Sequence, residues 1–122
     1  MRKILIIDDD EVQLMLQRSI LANEGYTVYT TADGPQGITL FKTHRPDLVL
    51  LDIGLPTLSG IEVLKEIRHI DEKAKVIVIT GYAYVESAVL ALRTGALDYV
   101  RKPYDVKLLL KKIGNVLSVV NN

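Results

Sequence analysis

The 122-residue chain has no cysteine, and its 15 basic residues are balanced by 15 acidic ones. Without cysteine there can be no disulfide framework, no thiolate metal site and no cysteine nucleophile. Without a surplus of positive charge, the chain lacks the basic face that binding to nucleic acid by bulk electrostatics requires. We therefore expect neither a disulfide-stabilised scaffold nor direct nucleic-acid binding by this domain.

Long apolar runs are also missing near the amino terminus. Only four consecutive apolar residues, at positions 4–7, precede a run of aspartates, which is too few for a signal peptide or a membrane span. We therefore expect no membrane segment and a cytoplasmic location, and the absence of cysteine is consistent with a reducing compartment.

The length fits one domain over residues 1–122, which is large enough to bury a core without a covalent staple. Short runs rich in Ile, Val and Leu predict five β-strands at 3–7, 27–30, 48–51, 76–80 and 97–100. The first, third and fourth runs are continuously apolar rather than alternating. This pattern is typical of parallel strands that are covered on both faces.

Segments with helical spacing follow each predicted strand. We predict that Asp10 and Asp105 cap the first and fifth helices. The residues predicted to face the core are Val12, Leu16, Ser19, Ile20 and Asn23 in the first helix, Ile38 and Phe41 in the second, Ile61, Leu64 and Ile67 in the third, Val85, Val89 and Leu92 in the fourth, and a stripe from Val106 to Val120 in the fifth. Strict alternation of strand and helix predicts a parallel sheet with right-handed crossovers, and so a three-layer αβα sandwich.

Polar residues stand at the ends of the predicted strands, where ligands bind in open sheets of this kind. Asp8 and Asp9 follow the first strand, Asp52 follows the third, Thr80 closes the fourth and Lys102 follows the fifth. Crowded carboxylates repel one another, and a hard divalent cation such as Mg²⁺ relieves the repulsion while keeping waters that a phosphate can replace. With Lys102 as a fixed positive charge, this set predicts a phosphoryl-transfer site in which a carboxylate attacks phosphorus.

The same residues stand in motifs that resemble those of bacterial response-regulator receiver domains. The motifs are Ile-Leu-Ile-Ile-Asp-Asp-Asp-Glu at 4–11, Pro-Asp-Leu-Val-Leu-Leu-Asp-Ile-Gly-Leu-Pro at 46–56 followed by Gly60, Val-Ile-Val-Ile-Thr-Gly at 76–81, and Gly-Ala-Leu-Asp-Tyr-Val-Arg-Lys-Pro at 95–103. The motifs occur in the order and at the spacing of that family, and the resemblance covers essentially the whole chain. The resemblance implies a flavodoxin-like or CheY-like fold, with five helices and a five-stranded parallel sheet of order 2-1-3-4-5.

The resemblance also implies the metal site and the acceptor. Asp52 would be the phospho-acceptor. Asp9 would bind Mg²⁺ directly and Asp8 mostly through water, while the backbone carbonyl of Gly54 would be a further ligand; Mn²⁺ would be a substitute. Lys102 would pair with Asp52 and then with its phosphoryl group.

Three more matched residues have implied roles. Thr80 would donate its hydroxyl to a phosphoryl oxygen and be drawn towards it. Tyr99 would be the aromatic switch that swings inward as Thr80 moves. The peptide bond before Pro103 would be cis and would direct the preceding lysine into the site.

The implied function is that of a switch in two-component phosphorelay signalling, rather than that of an enzyme. The domain would accept a phosphoryl group from a sensor histidine kinase or a histidine phosphotransfer protein, and would assist only its own phosphorylation and dephosphorylation. Phosphorylation would change the face made by helix four, strand five and helix five, where Tyr84 and Arg101 lie, for a downstream effector or a homodimer. The kinase would dock near the acidic edge and on helix one, with Leu14 and Leu21 as an apolar patch outside the core.

Residues around the acceptor leave the lifetime of the phosphoryl group open. Gly81 leaves a donor room, Gly54 has no side chain to orient water, and Tyr82 would partly cover the site. His44 and His69 stand near predicted helix ends, next to arginines. They are interpreted as surface residues, so we expect no phosphohistidine on this chain.

Three other interpretations fit parts of the sequence. A haloacid-dehalogenase-type phosphohydrolase would use Asp8 as nucleophile and Asp10 as general acid, but it needs a further acidic pair after its lysine and leaves Asp52 unexplained. A flavin or nucleotide module of the same topology would meet an acidic first turn with no glycine-rich phosphate cradle. A phosphate-independent pseudo-receiver would not need the complete set of aspartates, threonine and lysine.

Overall fold

The computed structural model describes residues 2–54, 59–81 and 85–118. The elements within these residues are β1 (Lys3–Ile7), α1 (Glu11–Asn23), β2 (Thr27–Thr31), α2 (Gly34–His44), β3 (Leu48–Leu51), α3 (Gly60–Ile70), β4 (Val76–Thr80), α4 (Val85–Thr94), β5 (Asp98–Arg101) and α5 (Val106–Ser118). The predictions made for Tyr82, Tyr84, Val120 and the side chain of Val85 fall outside the described parts of the chain.

The strands form one parallel sheet in the order β2-β1-β3-β4-β5. This topology confirms the predicted CheY-like α/β fold. The predicted strand bounds agree with the observed ones to within one residue, since β2 is one residue longer than predicted and β5 begins and ends one residue later. The sheet therefore brings the carboxyl ends of β1, β3, β4 and β5 to one edge.

The sheet has a separate core on each of its faces, because alternate residues of a strand point to opposite sides. One core contains the packed side chains of α2, α3 and α4 around Leu5, Ile7, Val49, Leu51, Val76 and Val78. The other contains those of α1 and α5 around Ile4, Ile6, Leu48, Leu50, Ile77 and Ile79. Coverage on both faces explains why β1, β3 and β4 are continuously apolar.

Side-chain caps define where several helices begin. Asp10 Oδ1 accepts hydrogen bonds from two backbone N–H groups at the start of α1, and Asp105 Oδ1 accepts one at the start of α5. Asp33 and Ser59 do the same for α2 and α3. The caps satisfy N–H groups that have no partner within their helix. Asp10 and Asp105 thus act as the sequence predicts.

Helix α1 faces the sheet differently from the prediction. Its buried residues are Leu14, Gln17 and Leu21, whereas Val12 and Leu16 are 64% and 52% exposed. The predicted core stripe is therefore wrong, and so is the placement of Leu14 and Leu21 on a docking surface. Because residues 14–16 are all apolar, two different faces of α1 could have been the buried one. The face that is buried contains the polar Gln17, so apolar spacing alone does not identify it.

Helix α4 differs in the same way. Val89 and Leu92 were predicted to face the core, but they are 41% and 48% exposed. Ala91 is fully buried instead, so a small side chain brings α4 close to the sheet. Val89 and Leu92 are therefore surface residues of α4.

Helix α3 approaches the end of β3 so closely that only glycine fits at position 60. A Cβ atom at Gly60 would contact the Ile53 Cα and would lie 2.5 Å from the carbonyl oxygen of Asp52. The Gly60 N–H also donates to the Ile53 carbonyl at 3.1 Å. This backbone contact sets the position of the segment that follows β3, and hence that of Asp52.

We expect Gly60→Ala to lower the free energy of unfolding by about 2 kcal/mol or more, because the added methyl group overlaps backbone that has to move. Urea unfolding provides the measurement. Gly114→Ala in α5 is the matched control, since nothing lies within 4 Å of a Cβ built there, and alanine should stabilise that helix by about 0.5–1 kcal/mol. Equal stability of the two variants would contradict the close approach of α3 to β3.

Candidate functional site

The predicted site residues meet at the carboxyl edge of the sheet. Asp8 directly follows β1, Asp52 follows β3, Thr80 ends β4 and Lys102 follows β5. The Asp52 N–H donates to the Ile7 carbonyl and the Lys102 N–H to the Thr80 carbonyl, both at 2.9 Å. Backbone pairing thus continues into the site, so the positions of these side chains are set by the sheet itself.

Three carboxylates converge at this edge. Asp8, Asp9 and Asp52 each offer an oxygen atom, and these oxygens lie within 4.8 Å of one another. Asp9 is exposed, while Asp8 and Asp52 are only 2% and 7% exposed. A set of carboxylate oxygens suits a hard divalent cation, and Mg²⁺ fits it because this ion binds through one or two carboxylates and retains water.

Backbone N–H groups hold two of these carboxylates in place. Asp8 Oδ1 accepts a hydrogen bond from the Asp10 N–H at 2.9 Å. Asp52 Oδ1 accepts one from the Gly54 N–H, also at 2.9 Å. Each of these bonds closes a tight turn directly after a strand. One oxygen of each carboxylate thus accepts a backbone hydrogen bond, and the other can bind a different partner.

The ammonium group of Lys102 bridges the other two oxygens. Its Nζ atom donates to Asp8 Oδ2 at 2.7 Å and to Asp52 Oδ2 at 3.3 Å. The resemblance implied a pairing with Asp52, and the structure adds a shorter contact with Asp8. One ammonium group is therefore shared by two carboxylates, and with Asp9 nearby the negative charges at this edge outnumber the positive one.

The pKa values of this group follow from burial and charge. Burial, together with the negative charge of Asp52, raises the pKa of Asp8 above its ordinary value, although the hydrogen bonds from Lys102 and the Asp10 N–H and the charge of Lys102 lower it. Burial would lower the pKa of Lys102, but the hydrogen bond to Asp8 and the charges of both carboxylates outweigh it, so this pKa is raised. The lysine stays charged at neutral pH, while ionised Asp8 is unfavourably placed.

Thr80 and Tyr99 lie on the neighbouring strands β4 and β5. Thr80 is fully buried at the end of β4, and Tyr99 is half-buried in β5, opposite Val78. Burial raises the pKa of the Tyr99 phenol, with Arg101 acting in the opposite direction. The peptide bond between Lys102 and Pro103 is cis.

An apolar groove beside Lys102 was not predicted from the sequence. Its volume is about 460 Å³, and it is lined by Gln13, Leu16, Ile20, Lys102, Pro103, Tyr104 and Val106. The groove lies between α1 and the β5–α5 loop. The wrong core stripe for α1 concealed it, because that stripe buried Leu16 and Ile20 against the sheet.

Comparison with known proteins identifies the family. The response regulator receiver domain family matches residues 4–114. The chain belongs to this family, and hence to two-component signalling. It is 35% identical to Sporulation initiation phosphotransferase F of Bacillus subtilis over 98% of this chain and 97% of that protein. Regulatory protein AtoC of Escherichia coli is 41% identical over 85% of this chain, which spans only 23% of that longer protein.

A solved structure of a relative contains Mg²⁺ and beryllium fluoride. The response regulator TrrA of Thermotoga maritima, in complex with Mg²⁺ and beryllium fluoride, superimposes with a TM-score of 0.87 at 34% identity, over 96% of this chain and 100% of that one. In the part of this chain that the structure describes, no helix is long and apolar enough to cross a membrane.

Removing the charge of Asp8 should stabilise the domain at neutral pH in the absence of divalent cations. The pKa of Asp8 is higher in the folded than in the unfolded protein, so the folded state binds more protons between the ordinary value of 3.8 and the raised value. Stability therefore falls as the pH rises through that window. We expect Asp8→Asn to raise the free energy of unfolding at pH 7, with the gain shrinking as the pH falls towards 4.

Urea unfolding at pH 4 to 8 in the presence of a chelator measures this gain. Asp9→Asn is the matched control, since Asp9 belongs to the same carboxylate group but is exposed, and its gain should be smaller. An Asp8→Asn variant that is less stable than the wild type at pH 7 would show that the Lys102 contact outweighs the burial of Asp8.

Proposed function

We propose that this receiver domain accepts a phosphoryl group on Asp52 from a phosphohistidine, with Mg²⁺ as cofactor, and then acts as a signalling switch. The donor would be a sensor histidine kinase or a histidine phosphotransfer protein. The observation that carries the proposal is the Asp52 carboxylate, buried at a strand end, with Lys102 Nζ 3.3 Å from its Oδ2 and two further carboxylates beside it. Membership of the receiver family supports the same conclusion.

The chemistry requires a nucleophile and neutralisation of charge. A carboxylate oxygen of Asp52 attacks phosphorus, the bond between phosphorus and the donor imidazole breaks, and the histidine leaves with the bonding electrons and takes up a proton. The product is an aspartyl phosphate. Lys102 neutralises negative charge on the phosphoryl oxygens, and the Thr80 hydroxyl donates a hydrogen bond to one of them.

Mg²⁺ fits the acidic residues at this edge. Asp8, Asp9 and Asp52 would hold it together with the backbone carbonyl of Gly54, and Mn²⁺ would substitute for it. When bound, the ion offsets the excess negative charge and so makes room for a phosphoryl group. The magnesium and beryllium fluoride complex of TrrA, a relative at 34% identity, supports this assignment.

The output surface would be the face of α4, β5 and α5. Strands β4 and β5 pair in register, with Val78 opposite Tyr99 and Thr80 opposite Arg101. A movement of Thr80 or Tyr99 would therefore also change the packing around β5. Exposed leucines lie on or beside each of the three elements, at Leu90, Leu97 and Leu108. An effector or a second copy of the domain would bind this face in one state of the switch.

The haloacid-dehalogenase alternative receives less support. It requires Asp10 as a general acid, but Asp10 Oδ1 caps α1 by accepting hydrogen bonds from Val12 and Gln13. Asp10 is also absent from the group of carboxylates that converge. Because the domain would turn over only its own phosphoryl group, we describe it as a switch rather than as an enzyme.

Substitution of the acceptor tests the proposal directly. We expect Asp52→Asn to abolish labelling by a radioactive acyl phosphate in the presence of Mg²⁺, because an amide cannot act as the nucleophile. Asp10→Asn is the control: it keeps the helix cap and should retain labelling. Steady hydrolysis of phosphate esters by the Asp52→Asn variant would instead favour the dehalogenase-type chemistry.

The groove next to Lys102 is the surface that we expect the phosphodonor protein to contact. Its lining is largely apolar, and Leu16 on α1 is half exposed there. The docking residues on α1 are therefore those near Leu16 rather than the buried Leu14 and Leu21. A protein donor would cover this groove, whereas a small acyl phosphate would not need it.

We expect Leu16→Glu to slow transfer from a histidine phosphotransfer domain by about tenfold or more, because a buried charge at an interface is costly. Labelling by acetyl phosphate should stay unchanged, since Leu16 lies outside the carboxylate group. Met15→Glu on the same helix is the control, because Met15 is exposed but does not line the groove. Equal losses with both donors, or equal losses in both variants, would contradict docking at the groove.

A further inference from the structure

A partly buried hydrogen bond joins α1 to the β5–α5 loop, close to the site lysine. Gln17 Nε2 donates to the Tyr104 hydroxyl at 2.9 Å, and the two residues are 87 positions apart in the chain. Gln17 is 1% exposed, and Tyr104 packs against the core between the sheet and the helices α1 and α5. The bond therefore ties the first helix to the segment that carries Lys102.

Packing alone does not account for a glutamine at position 17. Its Oε1 atom is buried, and it has no hydrogen-bond partner among the described residues. A buried polar atom without a partner costs free energy, which an apolar side chain of similar volume would avoid. Two leucines, Leu14 and Leu21, already supply the apolar contacts of this face of α1.

We propose that Gln17 is a positioning residue that acts through Tyr104 on Lys102. The Lys102 N–H is held on one side by the Thr80 carbonyl. On the other side, two residues further along the chain, the Tyr104 hydroxyl accepts the hydrogen bond from Gln17 Nε2. The two anchors together keep Lys102 Nζ within reach of Asp8 and Asp52, and preorganised charges of this kind are effective because they need not be rearranged during the reaction.

The consequence for phosphorylation rests on the proposed function, in which Lys102 neutralises the transferring phosphoryl group. Gln17→Met and Tyr104→Phe remove the hydrogen bond while nearly keeping the volume of each side chain. In both variants we expect the maximal rate of Asp52 labelling by acetyl phosphate to fall by about fivefold, the scale of one lost hydrogen bond. The affinity for Mg²⁺, measured separately, should not fall, because Asp8 and Asp52 keep their backbone hydrogen bonds and a less restrained ammonium group competes less with the cation.

The double variant and the stability measurement separate positioning from packing. Because both residues act through one bond, the double variant should lose no more activity than either single variant. The Gln17→Met variant should unfold at the same urea concentration as the wild type or a higher one, since it no longer buries an unpaired oxygen. Phe41→Leu, in the core on the opposite face of the sheet, is the control that lowers stability without touching the Tyr104 contact.

Amide hydrogen exchange gives a second readout that does not require phosphorylation. The Lys102 N–H, which donates to Thr80, should exchange faster in Gln17→Met and Tyr104→Phe than in the wild type. The Val49 N–H, which donates to the Lys75 carbonyl in the centre of the sheet, should be unaffected. Phe41→Leu should accelerate the two amides alike.

The outcomes are distinguishable. Unchanged labelling rates together with unchanged Lys102 exchange in both variants would overturn the inference. A loss of rate that merely follows stability, as in Phe41→Leu, would overturn it as well. If the wild-type protein is not labelled on Asp52, the proposed function fails, and the exchange measurement still decides whether Gln17 positions the Lys102 segment.

Discussion

The contact of one ammonium group with two buried carboxylates is the interaction on which the site depends. Lys102 lies 2.7 Å from Asp8 and 3.3 Å from Asp52, so a single positive charge is shared between them. Burial favours the neutral form of Asp8, and the exposed Asp9 adds further negative charge. An edge with this excess of negative charge suits a hard divalent cation such as Mg²⁺.

This contact exists because the parallel sheet collects residues that are far apart in the chain. Strands β1, β3 and β5 end at the same edge, which places positions 8, 52 and 102 together. The close approach of Gly60 to the backbone after β3 fixes one side of the site. On the other side, the bond between Gln17 and Tyr104 ties down the loop that carries the lysine. The geometry of the site is thus a property of the whole fold.

Helix α1, with its 13 residues, contributes to the core, to the site and to the apolar groove. It begins at the cap Asp10, two residues after the first site aspartate, and that cap also donates its N–H to Asp8. Its inner face contributes to the core, its polar Gln17 reaches the β5–α5 loop, and its outer face borders the apolar groove through Leu16. A change in the rotation of α1 would alter the core, the position of the lysine and the groove at the same time.

The amino-acid sequence by itself determined the five strands to within one residue, the parallel topology, the caps Asp10 and Asp105, and the residues that meet at the carboxyl edge. These features are local: a continuous apolar run defines a buried strand, and the residue after it stands at the edge whichever way the helices pack.

Only the tertiary structure decided which faces of α1 and α4 are buried. Apolar residues on both sides of each helix make several rotations nearly equivalent, and the choice depends on small or polar residues such as Ala91 and Gln17 that fit against the sheet. The groove and the Gln17–Tyr104 bond follow from that packing, because each joins segments whose distance apart no local pattern specifies. The sharing of Lys102 between two aspartates depends on side-chain geometry at the strand ends, which the sequence does not specify either.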